Sequence, residues 1–173
     1  MNTKISLFIL VVFLVAVSCK GDKDSPLPGF DGITNVDGNG RLIGARDTTD
    51  WRIDNKFNEF ERNLFDTLKF DQTLLKSDLK GVFSVGPSQA STIDFYPNPV
   101  TSLGSLRCFF GKIMNIAIVD KDFTKKVAKR LTCGVITFDF SSFNNGVYRM
   151  YYVLQDSTFK IIGLGHGDIQ IKR

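Results

Sequence analysis

Residues 113–120 read Ile-Met-Asn-Ile-Ala-Ile-Val-Asp, and Met114, Ile116 and Ile118 fall on every second position. A period of two marks a strand with one face in a core. Reading outward, Leu106, Cys108 and Phe110 alternate in SLRCFF. The same rhythm recurs in STIDFY (91–96), KKVAKRLTC (125–133), GVITFDF (134–140), NNGVYRMYYVLQ (144–155), STFKIIG (157–163) and DIQIKR (168–173). Turn residues interrupt these runs at intervals of about ten residues, and no helical period competes. Pro97 and Pro99 suit an edge or the start of a strand. Residues 92–173 are therefore expected to form a mainly β, antiparallel sandwich.

The whole chain has 173 residues, 43% of them hydrophobic and 23% charged. That mixture can bury a core and excludes a disordered charged polymer. A single His excludes any site that needs two imidazoles. The formal net charge of +4 hides an asymmetry. Residues 19–95 carry 10 Lys/Arg against 13 Asp/Glu, whereas residues 96–173 carry 11 against 5. The basic residues concentrate in KDFTKKVAKR, 121–130. Beside a strand, such a run reads as a solvated face. No nucleic-acid partner is expected, and an anionic envelope partner, lipopolysaccharide or an acidic glycan, suits the charge better.

The N-terminus is an address. A basic start at Lys4 precedes the apolar run Ile5–Val17, then small Ser18 and Cys19. This is the layout of a secretory signal, and the run is too short to span a bilayer. Ala16-Val17-Ser18-Cys19 resembles the bacterial lipoprotein signal, or lipobox. The resemblance implies that residues 1–18 are removed and that Cys19 is lipidated and holds the chain on a membrane. Residues 19–46 then form a tether and loop, opening with KGDKDSPLPG. Asp22 and Asp24 resemble the export signals of surface lipoproteins in the Bacteroidota, implying an outer-membrane lipoprotein displayed outward.

Within the loop, Asn35, Asp37 and Asn39 occupy positions 1, 3 and 5 of a calcium-loop pattern, with Gly40 at position 6. Position 12, where a bidentate Glu is usual, is Arg46. A Gly/Asn/Asp turn without metal explains the same residues, so calcium is the one cofactor weighed and none the default. Residues 47–91 form the next segment. Thr48, Thr49 and Asp50 are competent N-caps, and Ile53, Phe57, Phe60, Leu64 and Leu68 follow at helical spacings. The pattern predicts an amphipathic helix over 49–69.

Phe95-Tyr96-Pro97-Asn98-Pro99-Val100, then Ile116–Asp120, then Lys125-Lys126-Val127, then FDFSSFNNGVYRMYY with Gly146-Val147-Tyr148, resemble in order the motifs of the type IX secretion system C-terminal sorting domain. The resemblance covers about 80 residues and implies a seven-stranded, immunoglobulin-like sandwich. In physical terms the two Pro residues stiffen an extended turn around Asn98. Gly146 tolerates left-handed backbone, and Tyr148 buries its ring while its hydroxyl finds a partner at the rim.

Catalytic groups are few. His166 and Asp168 lie in GLGHGD, which reads as a flexible loop between the last two strands, and no nucleophile-elbow motif accompanies them. Cys108 and Cys133 remain after Cys19, either as a disulfide or as buried thiols. The sequence thus predicts a non-enzymatic, lipid-anchored cell-envelope protein with a binding or structural role. Its partners are the membrane, through Cys19, and a glycan, lipopolysaccharide or another envelope protein. The alternative is a type IX cargo or targeting module.

Overall fold

The computed structural model describes residues 29–30, 32–54, 56–71, 75, 93–109 and 111–173. The signal 1–18, Cys19, the tether up to residue 28, Phe110 and the domain boundary expected at Thr92 lie outside them. Among the described residues there are eight strands and one short helix. In chain order these are β1 (Arg52–Asp54), α1 (Glu59–Asn63), β2 (Ile93–Tyr96), β3 (Leu103–Cys108), β4 (Ile113–Val119), β5 (Lys125–Thr132), β6 (Val135–Asp139), β7 (Gly146–Gln155) and β8 (Ile161–Ile171). No helix among them is long and apolar enough to cross a membrane.

The strands form two antiparallel sheets, ordered β1-β8-β7-β4-β5 and β2-β3-β6. The expected sandwich is the observed one, and residues 93–171 supply seven of the strands. Pairing of β3 with β6 and of β4 with β7 interleaves the two sheets along the chain, as in immunoglobulin-like sandwiches. The corner before β7 carries a further mark of that architecture. Tyr148 donates its hydroxyl to the carbonyl of Asn144 at 3.1 Å, and its ring meets Phe143 edge-on.

Period-two side chains build the inter-sheet core. Met114, Ile116 and Ile118 of β4 meet Phe95, Leu106 and Phe138 from the smaller sheet. β7 contributes Tyr148, Met150, Tyr152 and Leu154 to the same core. The opposite faces of these strands are also buried. Ala117 and Val119 of β4, Tyr151 and Val153 of β7, and Leu164 of β8 pack under Phe57, Leu64, Phe65 and Leu75. The larger sheet therefore has protein on both faces, which is why β4 and β7 read as nearly continuous apolar runs.

The helix differs from the expected one. It is confined to Glu59–Asn63 and capped by Asn58, in a box where Asn58 and Glu61 exchange hydrogen bonds with each other's backbone amides. Residues 52–54 are a strand paired with β8. Asp50, expected as an N-cap, accepts instead from the amides of Thr34 and Asp168. The helical spacing of Ile53, Phe57, Phe60, Leu64 and Leu68 is thus served by a strand, a short helix and the turns after it. Phe57 and Leu64 are buried, whereas Phe60 is exposed.

The stretch Gly163–Asp168 is a strand and not the expected loop. At Gly165 and Gly167 a side chain would collide with its neighbours. A Cβ on Gly165 would strike the carbonyl of Arg52, and one on Gly167 would strike the Trp51 ring. Close approach of neighbouring backbone and indole, rather than turning, is what requires Gly here.

Cys108 and Cys133 form a disulfide across 25 residues, linking the end of β3 to the turn between β5 and β6. Replacing both with Ser should cost about 3 kcal/mol by the loop-entropy relation, measured as a lowered urea midpoint. Gly167→Ala should cost about 1–3 kcal/mol through overpacking against Trp51, followed by the fluorescence of that single Trp. Gly38→Ala, where an added Cβ meets nothing, should change stability by less than about 0.5 kcal/mol.

Candidate functional site

The outward face of β7, β8 and β1 carries a row of polar side chains beneath the N-terminal segment. Arg149 and Asp168 are partners across β7 and β8. The guanidinium donates from Nε and Nη2 to both carboxylate oxygens at 2.7 and 2.8 Å. The pair is deeply buried, with side chains 11% and 3% exposed. Burial works against the charge of Arg149, yet the hydrogen bonds to Asp168 hold its pKa above the ordinary value. Nη2 also donates to the carbonyl of Gly29 at 2.7 Å, and the guanidinium lies 5.2 Å from the Phe30 ring centre. The entering chain is thus hooked onto a buried ion pair.

Two residues along β8, His166 stands opposite Arg52 on one side and Tyr151 on the other. Its Nδ1 lies 2.7 Å from Asp54 Oδ2. Glu61 of α1 reaches the same patch and hydrogen-bonds Tyr151. Burial pushes the Glu61 carboxyl up, and it pushes the Tyr151 hydroxyl up as well. An imidazole held by a carboxylate is the base-and-orienter half of a catalytic arrangement. Here it fastens the end of β1 to β8.

The neighbouring hub is Asn98, which is fully buried. Its Nδ2 donates to the carbonyls of Thr34 and Asp168, and its Oδ1 accepts from the amide of Gln170. Its backbone pairs with Val36 in both directions at 2.8 Å. Asp50 completes the junction through the amides of Thr34 and Asp168. Burial raises the pKa of Asp50 first, with those amides opposing.

The residues of the sorting-like motifs hold parts of the fold together. Pro97 and Pro99 bracket Asn98, and both preceding peptide bonds are cis. Tyr96 stacks under the Arg107 guanidinium, 4.9 Å from its ring centre, and Arg107 grips Asp94 of β2 through two hydrogen bonds. Gly146 opens β7 opposite Ile171. Asn35, Asp37 and Asn39 lie in a tight hairpin where Val36 pairs with Leu42. Asp37 Oδ1 accepts from the amides of Asn39 and Arg41, each at 2.8 Å, so it caps its own turn. Among the described residues no group of three or more His, Cys, Asp or Glu is placed to hold a metal ion.

The basic run at 121–130 is divided between a turn and β5. Lys126 pairs with Asp120, Lys125 with Asp66, and Arg130 donates to the carbonyl of Lys69. Two of these cations therefore clamp the segment after α1 onto the sheet.

Sequence reasoning found His166 and Asp168 but not their partners. Asp54, Glu61 and Arg149 carry no motif, and Asp50 reads in the sequence only as an N-cap. Arg149 alone left a signal, a charge inside the otherwise apolar strand around Met150-Tyr151-Tyr152-Val153, where burial demands a partner.

Arg149→Met should cost about 3–5 kcal/mol, because it strands Asp168 as a buried charge. A second expectation concerns pH. The raised pKa of Glu61 means that its contribution is fully present below the ordinary glutamate range and is lost as pH rises through the raised value. Glu61→Gln keeps the capping acceptor and removes the titration. Its stability relative to the wild type should therefore improve from about pH 4 to about pH 7, measured by urea midpoints. A pH-independent difference would contradict this assignment.

No family model matches the chain, and no curated relative matches it. Among solved structures, CopC from Methylosinus trichosporium OB3b is similar over 46% of this chain and 89% of that one, at 22% identity and a TM-score of 0.36.

Proposed function

We propose that this protein is a lipid-anchored component of the bacterial cell envelope, carried at the outer membrane, whose sandwich binds another envelope component without catalysing a reaction. The observation that carries the reading is the apolar run Ile5–Val17 followed by Ser18 and Cys19. A mature chain that begins at an acylated Cys19 has ten residues to Gly29, where Arg149 takes hold. At about 3.3–3.6 Å per residue, that tether keeps the sandwich within about 36 Å of the lipid surface. The polar row supports a non-catalytic role, because its donors and acceptors fasten the N-terminal segment to β7 and β8.

The sorting-module alternative requires a C-terminal domain that can be removed from its cargo. Residues 32–71 instead contribute β1, Trp51 of the inter-sheet core and the cover of the outer face. Cleavage near Thr92 would strip β8 of a paired strand and expose Tyr151 and Val153. This integration favours a permanent domain over a detachable one.

The test is the intact mass of the protein extracted from its own membranes. An acylated chain running from Cys19 to Arg173 is expected, and Cys19→Ser should release the protein from the membrane fraction. A chain without acyl groups that ends near Thr92 would replace this reading with the sorting module.

A further inference from the structure

Five strands face three across the core, so the smaller sheet does not cover the inner face of the larger one as far as its edge. The uncovered flank is a cleft of about 320 Å³ between β5 and β6. Val127 and Leu131 of β5 form one wall, and Ile136, Phe138 and Phe143 form the other. Among the described residues, β5 pairs only with β4 and β6 only with β3, so both strands present an open edge to this cleft.

The two edges are guarded unequally. β5 carries Lys125, Lys126, Lys129 and Arg130, the usual defence against strand addition. β6 reads Val-Ile-Thr-Phe-Asp, a β-prone sequence without a cation, and its Val135 is 57% exposed. Lys129 stands between Val127 and Leu131 on the cleft wall, and it makes no hydrogen bond or ion pair among the described residues. The anion across the cleft, Asp139, is engaged by the amide and hydroxyl of Ser141. Apolar side chains thus share the cleft with Thr137, Asp139 and Lys129; it is bordered by one receptive strand edge and holds one uncompensated cation.

We infer that β6 is a docking edge for an extended segment of a partner protein, which adds a fourth strand to the smaller sheet. Alternate apolar side chains of that segment enter the cleft, and a carboxylate between them meets Lys129. A second copy of this chain fits less well, because the anion its own β6 would bring is the already engaged Asp139. The inference rests on the reading of the sandwich as a binding module and is independent of lipidation at Cys19.

The probe is a fluorescein-labelled peptide, Thr-Val-Thr-Glu-Thr-Val-Thr, titrated by fluorescence polarisation into the full mature chain in detergent. Its controls are a shuffled peptide with adjacent valines, a backbone N-methylated version, and one with Lys in place of Glu. The alternating acidic peptide should bind, and the shuffled and N-methylated forms should bind at least about tenfold more weakly. Lys129→Glu should reverse the preference between the Glu and Lys peptides, with its unfolding midpoint confirming an intact fold. Equal binding of alternating and shuffled peptides, no binding up to about millimolar concentration, or an unchanged preference in Lys129→Glu would overturn the proposal. A concentration-dependent dimer that excludes the peptide would also overturn it, by making the occupant a second copy. None of these outcomes depends on the mass at Cys19, so failure here leaves the anchored-protein reading standing.

Discussion

Burial of β7 and β8 on both faces is the constraint from which the architecture follows. An antiparallel sheet with one wet face is stable with polar residues on that side. β7 instead places Tyr151 and Val153 on its outer face, and β8 adds Leu164. Exposed, these side chains would forfeit about 1.5–3 kcal/mol each. The chain covers them with Phe57, Leu64, Phe65 and Leu75, all from the segment before β2. The N-terminal half is consequently a third layer of the fold.

That layer must be held in place, and the means is electrostatic. A buried ion pair adds little net stability when compared with an apolar pair, but losing one partner is severe. Arg149 and Asp168 therefore act mainly as a specifying device: the guanidinium has a bidentate partner and directs a further Nη2 donor at Gly29. Asn98 and Asp50 extend the same logic to backbone amides and carbonyls. Together these contacts tie the N-terminal segment, the turn at Asn98 and β7 to β8, so a shift in register of one residue would unpair several buried groups together.

The β rhythm was legible because alternation survives wherever one face of a strand meets the inter-sheet core, as at Met114, Ile116 and Ile118. Two elements were not. Apolar residues spaced four, three and four apart satisfy a helix, but the same residues also serve a strand at Ile53 and a capped turn at Phe57–Leu64. Tertiary pairing with β8 decided between them. Gly163, Gly165 and Gly167 carry the composition of a loop, and only the Arg52 carbonyl at Gly165 and the Trp51 ring at Gly167 reveal why the strand needs Gly at those two positions. His166 could be singled out in the sequence, whereas Asp54 and Glu61, more than 100 residues earlier, are brought to it by folding alone.

The sandwich is closed on one flank and open on the other, and a single cause accounts for both. On the flank of β1, β8 and β2, the N-terminal segment fills the gap, where Trp51 stacks on Phe95 and Val36 pairs with Asn98, and Val100 after β2 bridges to Ile171. Nothing comparable covers β5 and β6 among the described residues, where the disulfide to Cys133 ties the sheets together only at one end. The smaller sheet would need a fourth strand to match the larger one there. The chain protects β5 with lysines and leaves β6 without them, and that contrast lies between two edges exposed to the same solvent. General solubility would call for cations on both, so the difference points to β6 as the edge kept available for pairing.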